Sequence, residues 1–548
     1  MESAKHAGDA AVAVSKSYGI ETMFTLSGGH VFPLYDGAVH EGMRILDVRH
    51  EQSAVFAAEA TARLTRNPGL AVLTAGPGIT NGISGVASAH FNGSPVVVMG
   101  GRAPQSRWGS GALQELDHPP LLDPITKLAF TATGADSIGQ DVETAFRTAV
   151  APHRGPVFID FAMDHLFAPS PEHVADTQTP SPYEPDPDDI AAIARLLAEA
   201  KRPVLVLGSD VWMDRAEEAA RDFAESWRVP VILNGQGRGI LPAGHELLVT
   251  RARGLAFTQA DLVVVIGTPL DFRLGYGWFG GRDGAPPARV VHIADAPSQL
   301  ATHMRPAASA AGDLSVVLWS LGTACAEANV KTDHHAPWLA TLAAAASSAI
   351  AKDAGLLAAD SDPIHPMRVY GELNRVLDDD AVVIGDGGDF VSYAGKYVEP
   401  KQPGNWLDPG PYGCLGTGLG YAIAARIARP SSQVVLMLGD GAAGFSLMDV
   451  DTLVRHNLPV VMICGNNGIW GLEKHPMQML YGYDVAAELR PQTRYDQVVT
   501  ALGGGGELVT RPSEIGPALA RAFASGVPYM VNIATDPQIA YPRQTTGV

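Results

Sequence analysis

Two widely separated stretches of this chain follow one pattern, and that pattern limits what the chain can fold into. VLTAGPGITNGISGVASAHFNGSPVVVMGG (Val72 to Gly101) and VLMLGDGAAGFSLMDVDTLVRHNLPVVMICG (Val435 to Gly465) both read apolar strand, Gly-x-Gly turn, helical segment, proline, apolar strand. Gly76 lies 19 residues before Pro95, and Gly439 lies 20 before Pro459. Strands that alternate with helices in this way build parallel sheets covered on both faces. The expected fold class is therefore α/β, with three doubly wound parallel-sheet domains of which the first and third are copies of one fold. A domain over 1–166 leads into a linker over 167–188, FAPSPEHVADTQTPSPYEPDPD, which is rich in Pro, Ser and acidic residues and has no apolar period. A central domain over 189–330, a connection over 331–361, the second copy over 362–535 and a tail over 536–548 complete the division.

The length of 548 residues suits several cores, since single cores rarely exceed about 300 residues. A net charge of −19 argues against nucleic acid or an anionic membrane as partner. No run approaches the roughly 18 apolar residues of a membrane span. The amino terminus lacks a signal-peptide core. Cys325, Cys414 and Cys464 are too scattered for a disulfide framework or a CxxC metal site, so the expected setting is cytoplasmic.

The second copy carries the chemistry. One strand delivers Gly439-Asp440-Gly441 and the next delivers Asn466-Asn467, so a carboxylate and an amide oxygen end side by side. Hard divalent cations take such oxygen ligands together with phosphates. A turn that merely caps a helix would account for Gly-Asp-Gly but not for the paired asparagines.

Gly-Asp-Gly followed by Asn-Asn in a duplicated chain resembles the cofactor motif of thiamine diphosphate-dependent enzymes. The resemblance spans essentially the whole chain and implies thiamine diphosphate and Mg²⁺ as cofactors, with the first domain binding the pyrimidine and the third the diphosphate. It implies Asp440, Asn467 and the Ile469 carbonyl as metal ligands, with Gly439 in the same turn and the Gly441 and Ala442 amides meeting the diphosphate at a helix N-terminus. Glu51, in RHEQSAVFAAEATARL, matches the glutamate that bonds the aminopyrimidine and drives its proton transfer, a task suited by a raised pKa. Gly76, Pro77 and Asn81 match a loop that approaches the cofactor. In PYGCLGTGLGYAIAA, Leu415 matches the apolar prop beneath the cofactor, and the Gly413 carbonyl lies near its amino group.

Within that superfamily the chain is similar to the acetolactate synthase and oxalyl-CoA decarboxylase group, and its carboxyl end most resembles 2-hydroxyacyl-CoA lyases of the actinobacterial 2-hydroxyisobutyryl-CoA type. GALQELDHPPLLDPITK places Gln114 facing the reactive carbon, and SGGHVFPLYD places His30 in the pocket lining. The implied reaction cleaves an acyl-CoA substrate to formyl-CoA and an aldehyde or ketone, with Glu488 of AAELRPQTRYD taking the hydroxyl proton. Arg273, Lys401, Arg494 and Arg543 are candidates for the CoA phosphates, each more readily read as a solvated surface charge. Acetolactate synthesis from pyruvate and a non-catalytic cofactor-binding homologue are the competing readings. The resemblance also implies an active site shared by domains of different subunits, and hence a homodimer or homotetramer.

Overall fold

Six parallel strands form the first sheet in the computed structural model, which describes residues 6–177, 182–281 and 286–541. They are β1 (Thr22–Thr25), β2 (Arg44–Asp47), β3 (Gly69–Leu73), β4 (Val96–Arg102), β5 (Leu128–Thr131) and β6 (Val157–Ala162), in the order β2-β1-β3-β4-β6-β5. β3, β4 and β6 are buried along their whole length, which explains their unbroken apolar runs: helices cover both faces.

The central sheet contains β7 (Pro203–Leu207), β8 (Val231–Leu233), β9 (Leu262–Ile266), β10 (Arg289–Ala294) and β11 (Ala308–Ala311), in the order β11-β10-β9-β7-β8. Its first helix, Pro187–Glu199, opens with Pro at the first position and Asp186 accepting the Asp188 amide at 2.9 Å. The alanine-rich stretch beyond is a 22-residue helix, Ala336–Leu357.

The third sheet consists of β12 (Val382–Asp386), β13 (Trp406–Leu407), β14 (Val434–Gly439), β15 (Val461–Asn466), β16 (Gly505–Val509) and β17 (Tyr529–Ala534). Its order is β13-β12-β14-β15-β17-β16. Counting each sheet from its own first strand gives 2-1-3-4-6-5 in both cases, so the first and third domains are the same topology used twice. All three sheets are parallel α/β layers, as the alternation of elements implies.

By internal contacts the chain divides into two compact units, one of residues 1–180, 384–391 and 408–548, the other of 181–383 and 392–407. Within the first unit, helix Glu51–Thr65 packs on its counterpart in the duplicate, helix Thr417–Ala428. Small residues permit the approach: a Cβ on Gly420 would sit 2.9 Å from the Ser53 carbonyl and 2.8 Å from the Phe56 Cβ. Beside that contact lies a buried polar cluster. The Tyr421 hydroxyl donates to Glu59 at 2.9 Å and accepts from Arg63 at 3.2 Å, while Asn92 donates to Glu59 at 2.7 Å.

Among the described residues no helix is long and apolar enough to cross a membrane.

Candidate active site

The strand ends of the third domain surround a cavity of about 340 Å³. Gly413, Leu415, Gly439, Asp440, Gly441, Ala442, Asn467 and Ile469 all line it, so the residues expected to hold the diphosphate, the metal and the cofactor's underside converge on one space. Asp440 begins helix Asp440–Ser446 directly after β14. Its Oδ2 accepts the Gly468 amide at 2.6 Å and its Oδ1 the Gly441 amide at 3.0 Å. Asn467 Oδ1 accepts the Ile469 amide at 3.2 Å. The carboxylate directly after β14 is thereby tied to the turn after β15, which presents the amide and the carbonyl.

Burial pushes the Asp440 carboxyl up to about 6, although the two amides pull the other way. A buried carboxylate in that condition gains from a bound cation, and a carboxylate, an amide oxygen and a main-chain carbonyl together form a donor set of the kind Mg²⁺ takes. The donor set fits the metal.

The cavity has contributors that the sequence motif does not flag. Gly387, Gly388, Asp389, Phe390 and Trp470 also line it. The first four follow β12 in VVIGDGGDF, a second strand-terminal Gly-Asp-Gly that could have pointed to them. Asp386 within it is fully buried and accepts the amides of Gly416 and Gly418 at 3.0 and 2.9 Å, which fixes the turn carrying Leu415 onto the next helix. The expected tail is also tied to this region, since the Tyr541 amide donates to Asp389 at 2.7 Å.

Glu488 lies beside the anchor. Its segment runs antiparallel to the turn after β15: the Trp470 amide donates to the Ala487 carbonyl at 2.9 Å and the Leu489 amide to the Gly468 carbonyl at 2.8 Å, with Ile469 bridged to Glu488. The carboxylate is 61% exposed and pairs with the mostly buried Lys474. Lys474 went unremarked in the sequence, where nothing marks a lysine 14 residues upstream as its partner.

A second cluster forms at the strand ends of the first domain. Glu51 opens its helix, which His50 caps by accepting the Gln52 amide at 3.2 Å. Asn81 donates to Glu51 at 3.0 Å. Gly76 has φ +58°, a conformation glycine adopts freely, and a Cβ there would lie 2.9 Å from the Gln114 Cβ, so the Gly76-Pro77 turn and Gln114 touch. His30 lies 3.3 Å from the Thr74 hydroxyl. Burial holds its imidazole below the ordinary value, and a bond to the Leu113 backbone opposes that. Glu51, Gly76, Pro77, Asn81, His30 and Gln114 are thus gathered, but none of them lines the third-domain cavity.

The candidates for CoA phosphates fare less well. Arg273 is held by Asp271, Lys401 by Asp379 and Arg494 by Asp496, and Arg543 lies outside the described residues. A cation already paired by a neighbouring carboxylate has less to offer a phosphate, so the structure favours the surface-charge reading for these three.

Comparison with known proteins points the same way. The profile described as "Thiamine pyrophosphate enzyme, N-terminal TPP binding domain" matches residues 5–121, the central-domain profile 190–321 and the C-terminal TPP binding domain profile 386–533. A "Probable acetolactate synthase" of Mycobacterium bovis is 51% identical over 98% of this chain and 97% of its own length. A "2-hydroxyacyl-CoA lyase 2" of Caenorhabditis elegans is 33% identical over 93% of this chain and 85% of its own. Its counterpart in Homo sapiens is 31% identical over 93% and 86%.

Proposed function

The chain belongs to the thiamine pyrophosphate enzyme family, and from that premise we propose that it is a carbon–carbon lyase acting on a short or branched 2-hydroxyacyl-CoA, releasing formyl-CoA and an aldehyde or ketone. The observation that carries the reading is the placement of Glu488 against the turn that carries Asn467 and Ile469, which sets a proton acceptor beside the proposed metal anchor.

The residues divide the work as follows. Asp440, Asn467 and the Ile469 carbonyl would hold Mg²⁺, and the Gly441 and Ala442 amides at the helix start would receive the diphosphate. Leu415 and Gly413 would contact the cofactor. When bound, thiamine diphosphate supplies the nucleophilic carbon and the electron storage that the cleavage needs. Glu51 would hold and return a proton at the pyrimidine, while His30 and Gln114 would contact the substrate. Glu488 accepts the substrate hydroxyl proton as the bond between C1 and C2 breaks. Its place against the turn after β15 supports that role, which requires the carboxylate to leave its pair with Lys474.

Because the pyrimidine-side cluster does not line the cavity, we assign the two halves of each site to different subunits of a homodimer or of a tetramer built from it. The mycobacterial relative supports a second reading, acetolactate synthesis from pyruvate. Incubation with lactoyl-CoA or 2-hydroxyisobutyryl-CoA, and separately with pyruvate, decides between them. Formyl-CoA from the thioesters is expected, and acetolactate without formyl-CoA would reverse the assignment. Glu488→Gln should abolish thioester cleavage while leaving cofactor affinity unchanged. Near-normal cleavage would remove Glu488 from its role.

A further inference from the structure

Behind the Gly76 turn lies a buried histidine that the proposed chemistry does not use. His118 is fully buried, and its two ring nitrogens have different partners. Nε2 receives the Gly76 amide hydrogen at 3.0 Å, and Nδ1 lies 2.7 Å from Asp160 Oδ2. An amide can only donate to an Nε2 that carries a lone pair, so the bonding pattern assigns the neutral ring with its hydrogen on Nδ1, pointing at Asp160. Asp160 sits on β6, also fully buried, and Arg102 at the end of β4 reaches the same oxygen at 3.3 Å. Arg102 is in turn held by Asp117 at 3.0 Å and by the Trp108 ring, 3.7 Å from its guanidinium carbon. Asp160 Oδ1 meets no hydrogen-bond partner among the described residues. The carboxylate thus directs its bonds to His118 and to the cation that balances its charge.

We propose that His118 is a positioning residue, locked into one tautomer by Asp160 and Arg102 so that its Nε2 holds the Gly76 turn against Gln114 and beside Glu51. A buried carboxylate behind Nδ1 makes the opposite nitrogen a stronger acceptor, as carboxylates do behind histidines in other sites. Gly76 bears directly on the expected site, since the space its Cβ would need is taken by Gln114. Gly78, two residues on, would place a Cβ 3.7 Å from Glu51 Oε1. His118 also sits only four residues from Gln114 in the same loop, so one ring anchors both sides of that contact. Sequence gives little warning of this, because Asp160 lies 42 residues away on β6.

The inference rests on the first-domain cluster being the pyrimidine side of the cofactor site. Two neutral substitutions separate holding Gly76 from merely satisfying Asp160. The amide of His118→Gln reaches the Nε2 position and can accept from Gly76. That of His118→Asn reaches only the Nδ1 position and can bond only Asp160. Two readouts independent of substrate apply: hydrogen–deuterium exchange of the segment 74–79, and the rate of proton exchange at the reactive carbon of bound thiamine diphosphate, followed by NMR. His118→Asn should speed the amide exchange and slow the cofactor exchange by about tenfold or more, the effect of a loosened support. His118→Gln should stay within about threefold of the unaltered protein on both.

A His118→Asn protein matching the unaltered one, or a His118→Gln protein as impaired as His118→Asn, would overturn the proposal. If His118→Asn does not fold, His118→Gln decides alone: retained exchange supports the hold on Gly76 and lost exchange refutes it. Absence of accelerated cofactor exchange in the unaltered protein would instead remove the pyrimidine-side reading, and with it the role given to His118, while the amide measurement still reports the hydrogen bond.

Discussion

The indole of Trp470 occupies the space that a side chain at position 441 would need. A Cβ built on Gly441 would stand 2.5 Å from the ring, and the collision is with a rigid aromatic rather than with the end of a flexible chain. The second glycine of Gly-Asp-Gly therefore has a steric reason, whereas a Cβ on the first, Gly439, would meet nothing within 4 Å. Overpacking of this kind costs about 1–3 kcal/mol. Gly441→Ala should accordingly weaken thiamine diphosphate binding by about 5- to 150-fold in titration calorimetry, through displacement of Trp470 or of the helix start proposed to receive the diphosphate. Unchanged affinity would mean that the ring can move freely and that the diphosphate does not depend on this turn.

Shared sites make a prediction that a site contained in one chain does not. Glu51→Gln and Asp440→Asn should each abolish turnover. In a randomly reassorted mixture of the two, every mixed dimer would contain one site with both defects and one with neither. Roughly a quarter of the normal activity should then return. If each chain built its own site, every site in the mixture would keep one defect and no activity would return. The assay needs only unfolding and refolding of the mixed variants, followed by a rate measurement.

The duplication, the parallel sheets and the convergence of Asp440 and Asn467 were legible because each rests on local spacing: a strand, a turn and a helix written within some thirty residues. Asp440 and Asn467 are adjacent in space for the same reason, since β14 and β15 are sheet neighbours. What escaped reading depends on contacts between segments distant in sequence. His118, just before helix Pro119–Leu122, meets Asp160 on β6, and Lys474 meets Glu488 only because the chain folds back against the turn after β15. The pairing of two charged candidates for CoA is, by contrast, local: Asp271 stands two residues from Arg273 and Asp496 two from Arg494.

Asp386 makes stability depend on pH in a direction opposite to an ordinary surface carboxylate. Burial pushes its carboxyl up to about 7 from an ordinary value of 3.8, and the amides of Gly416 and Gly418 offset only part of that. The folded protein thus holds this proton more tightly than the unfolded chain does. The group's favourable contribution is complete below pH 3.8 and is lost as pH rises through 7. In Asp386→Asn that dependence is absent. The stability of the unaltered protein relative to the variant should fall between pH 5 and pH 7 by up to about 1.4 kcal/mol per unit, read from urea unfolding at each pH. A flat difference across that range would show that Asp386 is ionised throughout.

Tyr421 tests the buried junction between the two copies. Its hydroxyl serves Glu59 and Arg63 at once, and both of those side chains are almost completely buried, Glu59 at 0% and Arg63 at 2% exposure. Burial raises the Glu59 carboxyl above its usual range, and Arg63 and its hydrogen-bond donors oppose that rise. Tyr421→Phe keeps the ring and its edge contact with Phe56, centroids 6.1 Å apart, and removes only the oxygen. Glu59 then loses one donor but keeps Asn92, and Arg63 keeps the Asp408 carbonyl at 2.8 Å. The loss of one hydrogen-bonded oxygen between two buried charged groups should cost about 1–3 kcal/mol, measured by chemical unfolding. A change below about 0.5 kcal/mol would mean that water or a shift of Arg63 replaces the hydroxyl, and that the junction is held by the close approach at Gly420 rather than by its polar cluster.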